Sequence, residues 1–187
     1  VTVAALFVDP NGVYSGLPDV EVWDESRDAR LYAGPWPVVA HPPCKSWSLM
    51  GNCRPLTRAA GDNGTFQAAL AAVEKYGGVL EHPAHTRAWR TFNLPKPASP
   101  GWNIALHGRP GWATEIDQAA YGHPCHKMTW LYYVGDSPPP SDLDWRHIVT
   151  GRSVHNDGGG GRDQRSKTPP EFRDVLLAMA RTALVPA

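Results

Sequence analysis

Cys44 closes the run Pro37-Val38-Val39-Ala40-His41-Pro42-Pro43-Cys44, an apolar segment that ends in a Pro-Pro-Cys turn. A thiol placed just past a buried strand is in position to act as a nucleophile. Val79-Leu80-Glu81-His82-Pro83 repeats the pattern with a carboxylate at the strand end. Cys44 is therefore the candidate nucleophile and Glu81 the candidate acid, with His41 and His82 beside them as further catalytic candidates. Asp9 and Asp24 also follow apolar runs. Four polar groups at strand ends would gather at one edge of an open α/β sheet, where ligands bind.

Other groups compete for chemistry. His41-x-x-Cys44, His82-x-x-His85 and His123-x-Cys125-His126 supply zinc-type ligands. Convergence of His41, Cys44, His82 and His85 on zinc would leave Glu81 as base for a metal-bound water, the logic of a nucleobase hydrolase or deaminase. Trp47 and Tyr121 offer flat faces on which bases stack, and either serves equally as core. Arg162, Arg165 and Lys167 follow the run Gly158–Gly161 and suit nucleic-acid or nucleotide phosphates.

The elements that must hold these residues follow from periodicity. Thr2–Val8, Val20–Trp23, Pro37–Ala40 and Val79-Leu80 read as buried strands. Asp62 caps a helix whose Phe66, Leu70, Val73 and Tyr76 share a face, and Gly77-Gly78 ends it. Asp28–Tyr32 makes one helical turn and Arg87–Phe92 a short helix. Trp112–Gln118 alternates with period two, and Lys127–Val134 is rich in strand formers, so the two form an antiparallel hairpin. Thr168, Pro169 and Glu171 read as a capping box opening a last helix that buries Phe172, Val175, Leu176, Met179 and Ala183. The expected fold is one α/β domain over 1–187, a mostly parallel sheet flanked by helices in the Rossmann-like manner, with a flexible glycine-rich loop at 157–167.

Composition bounds the function. The 187 residues carry no net formal charge, which argues against strong non-specific binding of polyanions but allows a local basic patch. Eighteen Gly and 19 Pro require many turns. Three Cys without a CxxC pair, with Cys53 incidental, point to a reducing compartment rather than a disulfide framework. No apolar run reaches membrane-spanning length, and neither a membrane partner nor a signal peptide is expected.

Taken in order, the motifs resemble those of DNA cytosine-5 methyltransferases, in particular phage-type members. Pro42-Pro43-Cys44 with Trp47-Ser48 is similar to that family's catalytic loop, Glu81-His82-Pro83 to its Glu-Asn motif, and Tyr121-Gly122 followed by Lys127-Met128-Thr129 to its Tyr-Gly…Lys-x-Thr hairpin. The resemblance runs over roughly residues 1–135. It implies a methyltransferase-like core, DNA or a nucleotide as partner, and a bacterial host cytoplasm as location. It also implies addition of Cys44 to C6 of a pyrimidine with Glu81 stabilising the ring at N3. On this reading Pro43, Trp47, Ser48, Tyr121, His123 and Lys127 line the base, and burial raises the Glu81 pKa. S-adenosylmethionine is the implied cofactor, near Asp9 and Asp24. The family's Gly-rich cofactor loop is here Phe7-Val8-Asp9-Pro10-Asn11-Gly12, and no large target-recognition region follows the hairpin. A pyrimidine-modifying enzyme with another co-substrate fits as well as a methyltransferase. A non-catalytic nucleic-acid-binding module is the remaining class.

Overall fold

The computed structural model describes residues 1–47, 62–105, 109–146 and 167–183. The apolar run at the N-terminus forms β1 (Val3–Leu6), whose four side chains are all buried. β1 lies between β2 (Val20–Trp23) and β3 (Val38–Ala40), parallel to both, and β3 is parallel to β4 (Gly78–Pro83). There the direction of pairing changes. β4 runs antiparallel to β7 (Met128–Val134), β7 to β6 (Trp112–Asp117), and β6 to the short β5 (Asn103–Ile104). The described strands thus make one mixed sheet in the order β2-β1-β3-β4-β7-β6-β5.

This corrects the expected mostly parallel, helix-flanked, methyltransferase-like sheet. The two longest pairings, β4 with β7 and β6 with β7, are antiparallel. The physical reason lies in the connections. A parallel pair needs a crossover, usually helical. The link from β1 to β2 is broken by Pro10, Gly12, Gly16 and Pro18, and the link from β2 to β3 holds only a 3-10 turn at Ala29–Leu31. Only the β3-to-β4 crossover carries a full helix, α1 (Thr65–Tyr76). The other helices among the described residues are the short α2 (Arg87–Thr91) and α3 (Pro170–Thr182).

Each face of the sheet has its own core. Strand alternation sends Ala4, Leu6, Val38, Ala40 and Leu80 toward Phe66, Leu70 and Val73 of α1. Val3, Ala5, Val39, Val79 and Leu131 point the other way, toward Phe172, Leu176 and Met179 of α3. Gly78 makes the tight entry into β4 possible. Its φ is +122°, and a Cβ there would lie 1.9 Å from the Val38 carbonyl oxygen.

Both helix starts differ in detail from expectation. Asp62 does serve α1, but from two residues before the Gly64 cap; its carboxylate accepts from the backbone N–H of Gly64 and of Phe66, each at 3.0 Å. α3 begins one residue later than the capping box requires, with Pro169 as cap and Pro170 in the first turn, so no side chain caps it. Glu171 remains in the first turn, where a negative charge suits the helix dipole. The expected glycine-rich loop, its Arg162 and Arg165, and Ser48 and Cys53 lie outside the described residues. No helix among the described residues is long and apolar enough to cross a membrane.

Candidate functional site

Glu81 sits within β4 rather than after it, because pairing with β7 extends that strand to Pro83. Alternation turns its carboxylate to the α3 side of the sheet, the side of Val79 and of Leu131, which lies opposite Glu81 on β7. His41, one residue beyond β3, is held by its backbone N–H on the Leu6 carbonyl. Its Nδ1 lies 3.0 Å from Glu81 Oε2, and its Nε2 lies 2.8 Å from the Tyr14 hydroxyl. Gln118 completes the carboxylate's surroundings. Its amide nitrogen donates to Glu81 Oε1 at 3.1 Å and to Thr129 Oγ1 at 2.8 Å. The Thr129 hydroxyl donates onward to the Lys127 carbonyl at 3.1 Å. An unbroken polar chain therefore runs Tyr14–His41–Glu81–Gln118–Thr129, with Tyr14, Glu81, Gln118 and Thr129 all buried.

Charge decides what this chain can do. Burial alone would push Glu81 upward, as the sequence reading expects. The hydrogen bond and charge of His41, with Lys127 and His82, outweigh it and hold the carboxyl at about 2, so Glu81 is ionised at neutral pH. That corrects the expectation of a resting acid. Cys44 is exposed as a residue. Its thiol is nonetheless pushed up by burial around the sulfur and by the Glu81 charge, and Lys127 pulls it back down. Resting Cys44 is a thiol, and Glu81 and Lys127 are the charges that govern it. Lys127 is buried, which lowers its own pKa against the pull of Glu81 and Cys44, and its ammonium donates to the Lys167 carbonyl at 2.9 Å.

The sequence-derived residues divide accordingly. The structure brings Cys44, Glu81, His41 and Lys127 into one electrostatic group. His82 points to the opposite face, edge-on to Phe66, and burial lowers its pKa to about 4. It is core, not a partner of the site chain. Trp47 is core as well; its indole N–H donates to Asp62, and its ring packs on Phe66 and Phe92. Tyr121 packs on Phe172, and its hydroxyl accepts from the Asp144 backbone N–H. Neither ring is an open stacking face. Pro43 is exposed beside Cys44. His123 is buried in its own turn, with Nδ1 at 2.7 Å from the Cys125 carbonyl. Lys167 contributes its carbonyl to Lys127, while the residue itself is exposed.

Tyr14, Gln118 and Thr129 complete the chain without having been singled out as site residues. Tyr14 lies in a turn-rich loop, and Gln118 ends a period-two strand. A glutamine ending a strand beside a polar turn carries no signal by itself. Only its complete burial marks it, and that is a property of the packed sheet.

Cofactor groups fare differently. Asp9 accepts from the Asn11 backbone N–H, and Asp24 from Ser26 and the Arg27 backbone N–H. Both carboxylates stabilise turns, and no helix follows β1 to present backbone N–H groups to a ligand. The residues here do not fit S-adenosylmethionine in the manner the resemblance implies. Among the described residues, no group of three His, Cys, Asp or Glu side chains is placed to hold a metal ion. Of the alternative zinc set, both nitrogens of His41 are engaged, His82 faces α1, and His85 is edge-on to Trp130. Compared with family models, with curated proteins and with solved structures, the chain matches none.

Proposed function

We propose that this protein activates a pyrimidine base, in DNA or as a nucleotide, by covalent addition of Cys44 to ring carbon C6. The observation that carries the reading is the buried, ionised Glu81 on the strand next to the Cys44 turn, its charge acting on that thiol. The thiol must give up its proton as it attacks; the acceptor in this reading is Glu81, and because His41 and Lys127 hold that carboxyl at about 2, the transfer is completed only as the S–C6 bond forms. The proton passes from Sγ to the carboxylate, helped by the Lys127 ammonium, which favours the thiolate. As the sulfur pair forms the S–C6 bond in cytosine, the C5=C6 pair moves to C4–C5 and the C4=N3 pair moves onto N3. Glu81, now an acid, gives the same proton to N3. The product is a neutral enamine nucleophilic at C5, with every proton accounted for. One carboxylate serves as base and then acid, and His41 and Gln118 hold it for both steps.

Exchange of the C5 hydrogen for deuterium tests this without any co-substrate. In D2O the enamine takes a deuteron at C5, loses the original proton and expels the thiolate. Mass spectrometry of deoxycytidine monophosphate and of cytosine in single-stranded and duplex oligonucleotides should show one added mass unit with the native protein and none with Cys44→Ala. Exchange that persists in Cys44→Ala, or its absence from all three substrates with the native protein, overturns the proposal.

A further inference from the structure

The hydroxyl of Tyr14 is buried, 2.8 Å from His41 Nε2, at the end of the chain opposite Gln118. Its place is built rather than incidental. The loop that carries it is tied to α3, where the Arg173 guanidinium donates to the Val13 carbonyl at 2.9 Å. Glu81 is fixed on the other side by the Gln118 amide. His41 is therefore held from both ring nitrogens, Nδ1 by the carboxylate and Nε2 by the phenol. A carboxylate only accepts, so the proton between them sits on Nδ1. In the neutral ring Nε2 then accepts from the Tyr14 hydroxyl; in the cation the same nitrogen donates to the Tyr14 oxygen. One partner thus serves both charge states without moving.

We infer that Tyr14 is a positioning residue for the proposed proton transfer, pinning the His41 ring so that Nδ1–H stays on Glu81 and closing the chain at its far end. The closure has a chemical content. If Nδ1–H crossed to Glu81, the ring would need a new proton at Nε2, and Tyr14 would have to become a phenolate. Burial, then the Glu81 charge, raise the Tyr14 pKa well above its ordinary value, with Asp174 adding and Arg173 opposing. The neutral His41 ring therefore does not feed a proton to Glu81. With the His41 ring neutral, the proton that Glu81 carries to a base in the proposed chemistry is the one it takes from Cys44. Glu81 is hydrogen-bonded to His41, feels the charges of His82 on its own strand and of Lys127 just before β7, and acts electrostatically on Cys44 beyond β3.

This inference rests on the proposed chemistry for its purpose, but its test begins on the resting protein. In 15N-labelled native protein, with His41→Gln as the assignment control, we expect a downfield ring N–H resonance on Nδ1 of His41. In Tyr14→Phe, which keeps the ring and its packing, that proton should exchange with solvent at least roughly tenfold faster. C5 deuterium exchange should slow by roughly 10–100-fold, the range for losing one hydrogen bond to a charged group. A proton found on Nε2 instead of Nδ1 in the neutral native ring overturns the inference with no variant needed. Unchanged Nδ1–H exchange in Tyr14→Phe overturns it as well. If native protein shows no C5 exchange, the proposed function fails, and the Nδ1–H result still decides how Tyr14 acts on His41.

Discussion

At the scale of single residues, two buried ionisable groups set the acid side of stability, and they sit back to back on β4. His82 has its pKa lowered from 6.5 to about 4, first by burial. The unfolded chain binds a proton on this residue where the folded chain refuses it. Stability is therefore complete above pH 6.5 and falls as the pH drops through 4, by about 3 kcal/mol in all. Glu81 is lowered from 4.5 to about 2, so its contribution is present above 4.5 and is lost as pH falls toward 2. The two losses follow one another. In urea unfolding from pH 7 to 4, His82→Leu should flatten the first decline. A slope equal to that of the native protein would show that His82 is already protonated in the folded state.

The same scale shows what the sequence disclosed of the site. His41, Cys44 and Glu81 are legible because their residue types are chemical and they border apolar runs, and Lys127 because Lys127-Met128-Thr129 resembles a Lys-x-Thr hairpin. The sign of the Glu81 shift is not legible. Burial argues for a raised value, and only the approach of His41 across the β3–β4 pair reverses it. Tyr14 and Gln118 stay hidden because each looks ordinary until the sheet brings it against a charge.

At the scale of elements, strands read well and their partners read poorly. Four buried apolar residues in a row leave β1 little choice but a central strand. Nothing within Val79–Pro83 shows that β7 will lie beside it, yet that neighbour makes the strand longer and places Glu81 inside it. Helix α3 was legible by its apolar spacing, while its start was displaced because a second proline, Pro170, occupies the first turn. The β3–β4 junction depends on one missing side chain. Gly78→Ala puts a methyl group against the Val38 backbone, where no rotamer relieves the clash. Thermal unfolding should show a loss on the order of 3–5 kcal/mol, among the larger single-residue effects. A cost below about 1 kcal/mol would mean that the two strands separate there with ease.

At the scale of the whole molecule, helices packed on both faces of a sheet do not by themselves make a Rossmann-like fold. Here α1 and α3 cover opposite faces, but α3 comes from the far end of the described chain and does not connect two parallel strands. The motifs that resemble methyltransferases keep their order along the sequence, while the architecture that carries them is a mixed sheet. Asp9 and Asp24 stabilise turns, whereas Cys44 lies just past β3 and within the field of Glu81 on the neighbouring β4.

β4, parallel to one neighbour and antiparallel to the other, makes the site a late event in the life of each new chain. Tyr14, His41, Glu81 and Gln118 are brought together only when β3, β4, β6 and β7 have all paired, and each of those closures costs chain entropy before any contact rewards it. On the proposed chemistry, a partly assembled sheet has the thiol but not yet an ordered carboxylate to take its proton. In stopped-flow refolding, C5 exchange should return only with the slowest recovery of tryptophan fluorescence. Activity that appears in an earlier phase would mean that the His41–Glu81 pair forms before the sheet is complete. On the proposed chemistry, Cys44 is made before β4, β6 and β7 and gains its carboxylate partner only when they have paired.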